Sequence, residues 1–158
     1  MKQVYEIRQL LDSDCSSLRE VYQDAIQSQG LNLYNKDQID AWSSLASLPG
    51  VLDKPLKEGK GWVSCEMGQV EAFAVRYPLN RLALLYCRGR STRRGHATAL
   101  LNRIEIDAKR DNQKQLFTEA SLYSYPLLIR CGWISRSLEK ITIAGVPFDR
   151  HIMEKTIV

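Results

Sequence analysis

At the start of the chain, Tyr5, Ile7 and Gln9 alternate with Glu6, Arg8 and Leu10, which predicts a first strand over 5–10. The period then changes. Asp12 or Asp14 offers an N-cap, and Leu18, Val21, Tyr22, Ala25 and Ile26 follow at helical spacing until Gly30 closes the helix. Asn35 caps a second helix over 36–44, with Ile39 and Trp42 on one face, and Leu48-Pro49-Gly50 breaks the chain. Residues 61–65 and 70–77 read as strands joined by the turn Glu66-Met67-Gly68-Gln69. The mostly apolar run 81–87 predicts a strand buried on both faces in the middle of a sheet.

The clearest helix follows, with Ala97, Leu100, Leu101, Ile104 and Ala108 on one stripe. Residues 115–120 form another strand and 126–130 a short helix with proline in its first turn, ended by Cys131-Gly132. Runs 134–143 and 146–153 are strands around Ala144-Gly145. The order β-α-α-β-β-β-α-β-α-β-β has no linker or internal repeat, which predicts one mixed α/β domain over residues 1–158.

Composition narrows the class. Hydrophobic residues make up 44% and charged residues 25%, ordinary usage for a globular chain. No run of 18 or more apolar residues is present, and no apolar signal-peptide core precedes Glu6, so a soluble cytoplasmic protein is expected. Cys15, Cys65, Cys87 and Cys131 lie tens of residues apart, and His96 and His151 complete no ligand spacing, so no metal site is expected and free thiols are. Cys87 and Cys131 read as small buried hydrophobes, because neither has a His–Asp arrangement in sequence. The net charge of +4 is mild, but Arg88, Arg90, Arg93 and Arg94 crowd around glycines. That density suggests an anionic ligand. A strand feeding a glycine-containing loop and a helix start offers main-chain N–H groups to phosphate, although this loop is neither a Walker A nor a Gly-x-Gly-x-x-Gly motif.

Thr92-Arg93-Arg94-Gly95-His96-Ala97 resembles the coenzyme A pyrophosphate loop of the GNAT superfamily of N-acetyltransferases, whose pattern is Gln/Arg-x-x-Gly-x-Gly/Ala. Gly95 and Ala97 match; Thr92 departs from it. Downstream, Thr118-Glu119-Ala120-Ser121, Pro126 and Cys131-Gly132-Trp133 are similar to the family's fifth strand and following helix. The segment from Tyr34 to Trp42 is similar to a Tyr-x-x-x-Gln-x-x-x-Trp stretch of one bacterial subgroup, and the closing run from Gly145 to Lys155 fits it too. The likeness spans essentially the whole chain in order.

The resemblance implies a GNAT-like acyl-CoA N-acyltransferase fold, with a central mixed twisted sheet of about six to seven strands flanked by about four helices. It implies acetyl-CoA as acetyl donor, lying where strands 82–87 and 115–121 splay apart. Leu85, Tyr86 and Cys87 would pair with the pantetheine arm, Arg93, Arg94, Gly95, His96, Ala97 and Thr98 would hold the pyrophosphate, and Ser121 would face the cofactor in place of the usual Asn. The acetyl group would pass directly to a primary amine of a small molecule or peptide, a backbone amide near Tyr86 or Cys87 polarising the thioester oxygen. Leu128 stands where the family places its acidic Tyr, and Ala83 and Leu84 stand where relatives place an acid. Glu119 is therefore the candidate base and Tyr123 the candidate acid; Tyr125 lies about 100° away from the stripe of Ser121, Ser124 and Leu128. Tyr34, Gln38 and Trp42 would build the acceptor pocket opposite the loop 77–81, and no acidic cluster stands out to recruit a polyamine. His151 is expected on the exposed face of the last strand. Neither nucleic acid nor membrane is an expected partner, and many relatives form homodimers. A non-catalytic acyl-CoA-binding module is the alternative that Leu128 and Ala83 suggest, and an arginine-rich nucleic-acid binder a third.

Overall fold

Local sequence chemistry explains where most elements begin and end. The computed structural model describes residues 5–29 and 32–157. Gly30, the expected stop of the first helix, lies outside them. Strand β1 (Glu6–Gln9) leads to a single 3₁₀ turn over Asp12–Asp14 and then to α1 (Cys15–Gln29). Arg8 clamps that turn, donating to both carboxylate oxygens of Asp14 at 2.9 and 2.8 Å. Helix α2 (Lys36–Ser44) opens on a reciprocal cap: Gln38 N donates to Asn35 Oδ1 at 2.9 Å, and Asn35 N donates to Gln38 Oε1 at 3.0 Å. Past the break at Pro49-Gly50 the chain adds a helix that the pattern does not announce, α3 (Asp53–Glu58). Its six residues are too few to display a helical period, and Pro55 argues locally against one.

Strands β2 (Lys60–Glu66), β3 (Gln69–Arg76) and β4 (Leu82–Cys87) follow, then α4 (His96–Arg110), β5 (Gln115–Ala120), α5 (Tyr125–Arg130), β6 (Ile134–Ile143) and β7 (Val146–Thr156). The β2–β3 and β6–β7 hairpins both turn on two residues of positive φ, Met67 (+50°) with Gly68 (+78°) and Ala144 (+50°) with Gly145 (+79°). Such turns match the twist of the flanking strands.

The seven strands form two antiparallel ladders, β1-β2-β3-β4 and β5-β7-β6, where one continuous sheet was expected. Two cores serve them. On one side Leu18, Val21, Tyr22 and Ile26 of α1 pack with Ile39, Phe73, Val75, Leu84 and Phe148. On the other, Leu100, Leu101 and Ile104 of α4 are buried with Ala72 and Ala74 of β3 and with Leu116, Ala120 and Met153 of the second sheet. Each such leucine or isoleucine contributes about 1.5–3 kcal/mol by leaving water. Arg76, fully buried, ties β3 to the end of α4 through Asp107 and Asp111 and donates to the Leu79 carbonyl at 2.6 Å, shaping the β3–β4 connection. Among the described residues no helix is long and apolar enough to cross a membrane.

Candidate active site where the two sheets part

β4 and β5 run parallel and, among the described residues, share a β-bridge only where the start of β4 meets the middle of β5. Arg81 and Phe117 form a single parallel bridge, Phe117 N donates to the Asn80 carbonyl at 2.9 Å, and Thr118 Oγ1 donates to the Leu82 carbonyl at 2.8 Å. Beyond Leu82 the strands separate. β4 is thus an edge strand, paired with β3 alone and half-buried along most of its length, where the apolar run predicted a central strand. An apolar pattern records burial by any neighbour, and here helices and the cleft wall supply part of it. Backbone groups on such an edge are available to an extended ligand.

The far end of β4 leads through a turn at Gly89–Ser91 into the start of α4. Arg93 has φ +61° and Gly95 φ +93°, and the first-turn N–H groups of α4 point out of the helix with no helical acceptors. The ring of His96 does not join that surface. It is buried, with Nδ1 2.6 Å from Ser64 Oγ and Nε2 2.9 Å from Glu66 Oε1, under the ring of Tyr5 at 4.7 Å. Glu66 can only accept, so Nε2 carries a proton. His96 therefore fixes the helix start to β2, and what it offers outward is its amide.

The arginine cluster is largely neutralised from within. Arg90 chelates Glu71 at 2.8 and 2.7 Å, Arg88 lies 3.8 Å from Glu71 and 3.6 Å from Glu20, and Arg94 pairs with Glu66 at 2.9 Å. Exposed Arg93 makes no ion pair among the described residues. Local density in the sequence could not reveal acids that arrive from β2 and β3. The Arg90 guanidinium, helped by Ser91 Oγ at 2.6 Å, holds the nearly buried Glu71 carboxyl below the usual carboxylate range. The stability from this depressed pKa is complete above the unfolded value of about 4.3 and is lost as pH falls through the lower folded value. Asp14, lowered by Arg8, adds to the same acid limb. Unfolding midpoints followed from neutral to about pH 3 should drop in that range, and Glu71→Gln should flatten the fall without abolishing it.

Behind the parting lies a cavity of about 280 Å³. Tyr34 and Trp42 line it, their rings 5.3 Å apart and edge-on, and Leu122 N donates to the Tyr34 hydroxyl at 2.8 Å, anchoring the connection after β5. Gln38 is outside the lining; its amide is consumed by the α2 cap and by the Pro147 carbonyl, 3.0 Å from Nε2. Glu119 lines the cavity and accepts from Arg81 Nε at 2.8 Å. Ser121, Ser124 and fully buried Leu128 share the wall, as one stripe should, while Tyr125 stacks on His151 at 3.9 Å. His151 is accordingly half-buried, with Ser135 Oγ 3.2 Å from Nδ1, and is not on the exposed face expected for it.

A smaller recess beside the cavity is lined by Leu85, Tyr86, Cys87, Ser121 and Tyr123. Burial pushes the Cys87 thiol up to about 12 and raises Tyr123 above its ordinary value. Cys87 thus stays a thiol at neutral pH, and Tyr123 keeps its proton. Sequence reasoning missed Asp149 and Arg150 of β7 and Leu52 and Pro55 at α3, all on the cavity wall. Strand alternation on β7 could not identify them, since nothing local indicates where β7 outruns β5.

No protein-family model matches the chain, and no curated protein matches its sequence. Solved structures match its shape. A GCN5-related N-acetyltransferase from Rhodopseudomonas palustris superposes with a TM-score of 0.92 at 18% identity, over 99% of this chain and 98% of that one. The PaiA N-acetyltransferase from Thermoplasma acidophilum, in complex with coenzyme A, gives 0.76 at 18% identity over 99% of both chains. YncA from Salmonella typhimurium, with its cofactor acetyl-CoA, gives 0.69 at 17% identity over 98% of this chain and 95% of that one. Two antiparallel sheets that part between β4 and β5, with α4 starting beside the gap, are in these terms the fold of the GNAT N-acetyltransferases.

Proposed function

We propose that the protein is a cytoplasmic acetyl-CoA-dependent N-acetyltransferase that acetylates a primary amine of a small molecule or peptide by direct attack. The observation that carries this reading is the parting of β4 from β5 beside the α4 start, opening into a lined cavity. The residues present suit acetyl-CoA: the β4 edge at Leu85–Cys87 for an extended arm, the amides from Arg93 to Thr98 with the exposed Arg93 side chain for a pyrophosphate, and Ser121 at the junction. Acetyl-CoA supplies an activated thioester carbonyl. The chain's residues orient the amine against that carbonyl, and positioning is the larger part of the gain. Glu119 Oε1 carries no hydrogen bond among the described residues and takes the amine's proton, directly or through water, while Arg81 holds Oε2. Tyr123, which holds its proton at neutral pH, donates to the departing sulfur.

Leu128, on the cavity wall, has no proton to give and favours a second reading, an acyl-CoA-binding module without turnover. Thermal unfolding with acetyl-CoA, together with CoA release over a panel of amines, separates the two. Acetyl-CoA at ~100 times its Kd adds about 2.7 kcal/mol, a rise of roughly 5–11 °C for a chain of this size. A rise with turnover supports the enzyme, a rise without turnover supports the module, and no rise removes both.

A further inference from the structure

The cavity also describes its acceptor, an inference that rests on the acetyltransferase reading. Its volume of about 280 Å³ is just under the ~300–1,000 Å³ of most small-ligand pockets, so the body it encloses is compact. The walls facing one another there are apolar: Trp42, Leu52 and Pro55 on the helical side, Ile141, Ile143 and Phe148 on the β6–β7 side.

Four charged residues reach the lining, Arg81, Glu119, Asp149 and Arg150. Three are already engaged, Arg81 with Glu119 at 2.8 Å and Arg150 with Glu139 at 2.8 Å. Asp149 is half-buried and makes no hydrogen bond or ion pair among the described residues; its cross-strand neighbour Lys140 forms no ion pair with it. Asp149 is thus the one lining carboxylate with neither oxygen engaged among the described residues, whereas Glu119 is charge-balanced by Arg81 and keeps only Oε1 open; Thr118, Ser121 and Ser124 add neutral polar groups to the lining. A carboxylate partly removed from water favours a cation beside it. One such group satisfies one ammonium, whereas a polyamine would bury further ammonium groups without partners.

We propose that the acceptor is a monoamine whose ammonium is met by Asp149 and whose compact aromatic or branched aliphatic body packs against Trp42 and Phe148. In this arrangement Asp149 sets specificity, and Glu119 remains the proton acceptor.

The test compares 2-phenylethylamine, its neutral isostere 2-phenylethanol and spermidine, by calorimetric binding with and without CoA and by kcat/KM with acetyl-CoA. A charge-assisted contact predicts that 2-phenylethylamine binds about tenfold or more tightly than either of the others. Asp149→Asn should erase the preference for the amine over the alcohol while leaving the alcohol's own affinity in place, which also shows that the variant is folded. Equal or tighter binding of spermidine, an amine preference that survives Asp149→Asn, or binding of none of the three overturns the proposal. The two readings fail separately. Binding of 2-phenylethylamine that depends on Asp149, with no acetyl transfer to any amine of the panel, keeps the ammonium site and removes the enzyme; efficient transfer to spermidine in preference does the reverse.

Discussion

Gly95→Val should abolish most of the stabilisation by acetyl-CoA while leaving a folded chain. Gly95 caps α4 at φ +93° and ψ 0°, a conformation from which a β-branched side chain is sterically expelled. Holding a side-chained residue in the left-handed region costs about 1–2 kcal/mol, so the unliganded midpoint should fall by roughly 2–8 °C. Helix α4 itself survives, because Leu100, Leu101 and Ile104 are fully buried and the His96 ring is tied to Ser64 and Glu66. What changes is the direction of the peptide groups entering the helix. If the strain is relieved by rotating Gly95 to negative φ, the first-turn amides no longer converge on one anion. Scanning fluorimetry should then show the roughly 5–11 °C rise reduced to about 2 °C or less at the same ligand concentration. Arg93→Ala, which removes one exposed charge and no amide, should lower the rise only modestly. A full rise in Gly95→Val would place the anion elsewhere.

The largest effect on stability is expected at Trp133. This residue follows Gly132 (φ +91°) at the end of α5, its amide donates to the Leu128 carbonyl at 3.0 Å, and its indole packs with Leu116, Leu128 and Met153 at 2% exposure. Trp133→Ala removes the largest buried side chain and leaves a void, at a cost of about 3–5 kcal/mol, or roughly 6–20 °C. Trp133→Phe should cost far less. The indole Nε1 is buried without a partner among the described residues, so its loss offsets part of the lost volume. Urea midpoints of the two variants provide the check; a phenylalanine as damaging as alanine would mean that the nitrogen has a partner in solution.

What the sequence could convey depended on the range of the interaction. The Asn35 N-cap, the Ala144-Gly145 turn and the buried stripe of α4 are set by residues a few positions apart, and each was legible. The Glu71–Arg90 and Glu66–Arg94 pairs join residues about twenty to thirty positions apart, so the arginine cluster looked freer than it is. Gln38 shows a related limit: a resemblance can align a residue with an acceptor pocket, but it does not show that a cap and the Pro147 carbonyl already occupy the amide. Asp149 lay beyond reach for a third reason. Its significance comes from having no partner, which only the surrounding structure can establish.

Among the described residues the two sheets share one β-bridge, at the β4–β5 seam, yet Ala72 and Ala74 from one and Leu116, Ala120 and Met153 from the other lie in one buried cluster with Leu100, Leu101 and Ile104 of α4. The aperture between β4 and β5 is therefore gauged by side-chain volume, with α4 as a wedge between two leaves on a common hinge. Alanine at both β3 positions keeps the leaves close; an added methylene there would alter the angle of the whole opening without touching any group that lines it. In this fold, the width of the cleft can drift through the core while its chemistry stays still.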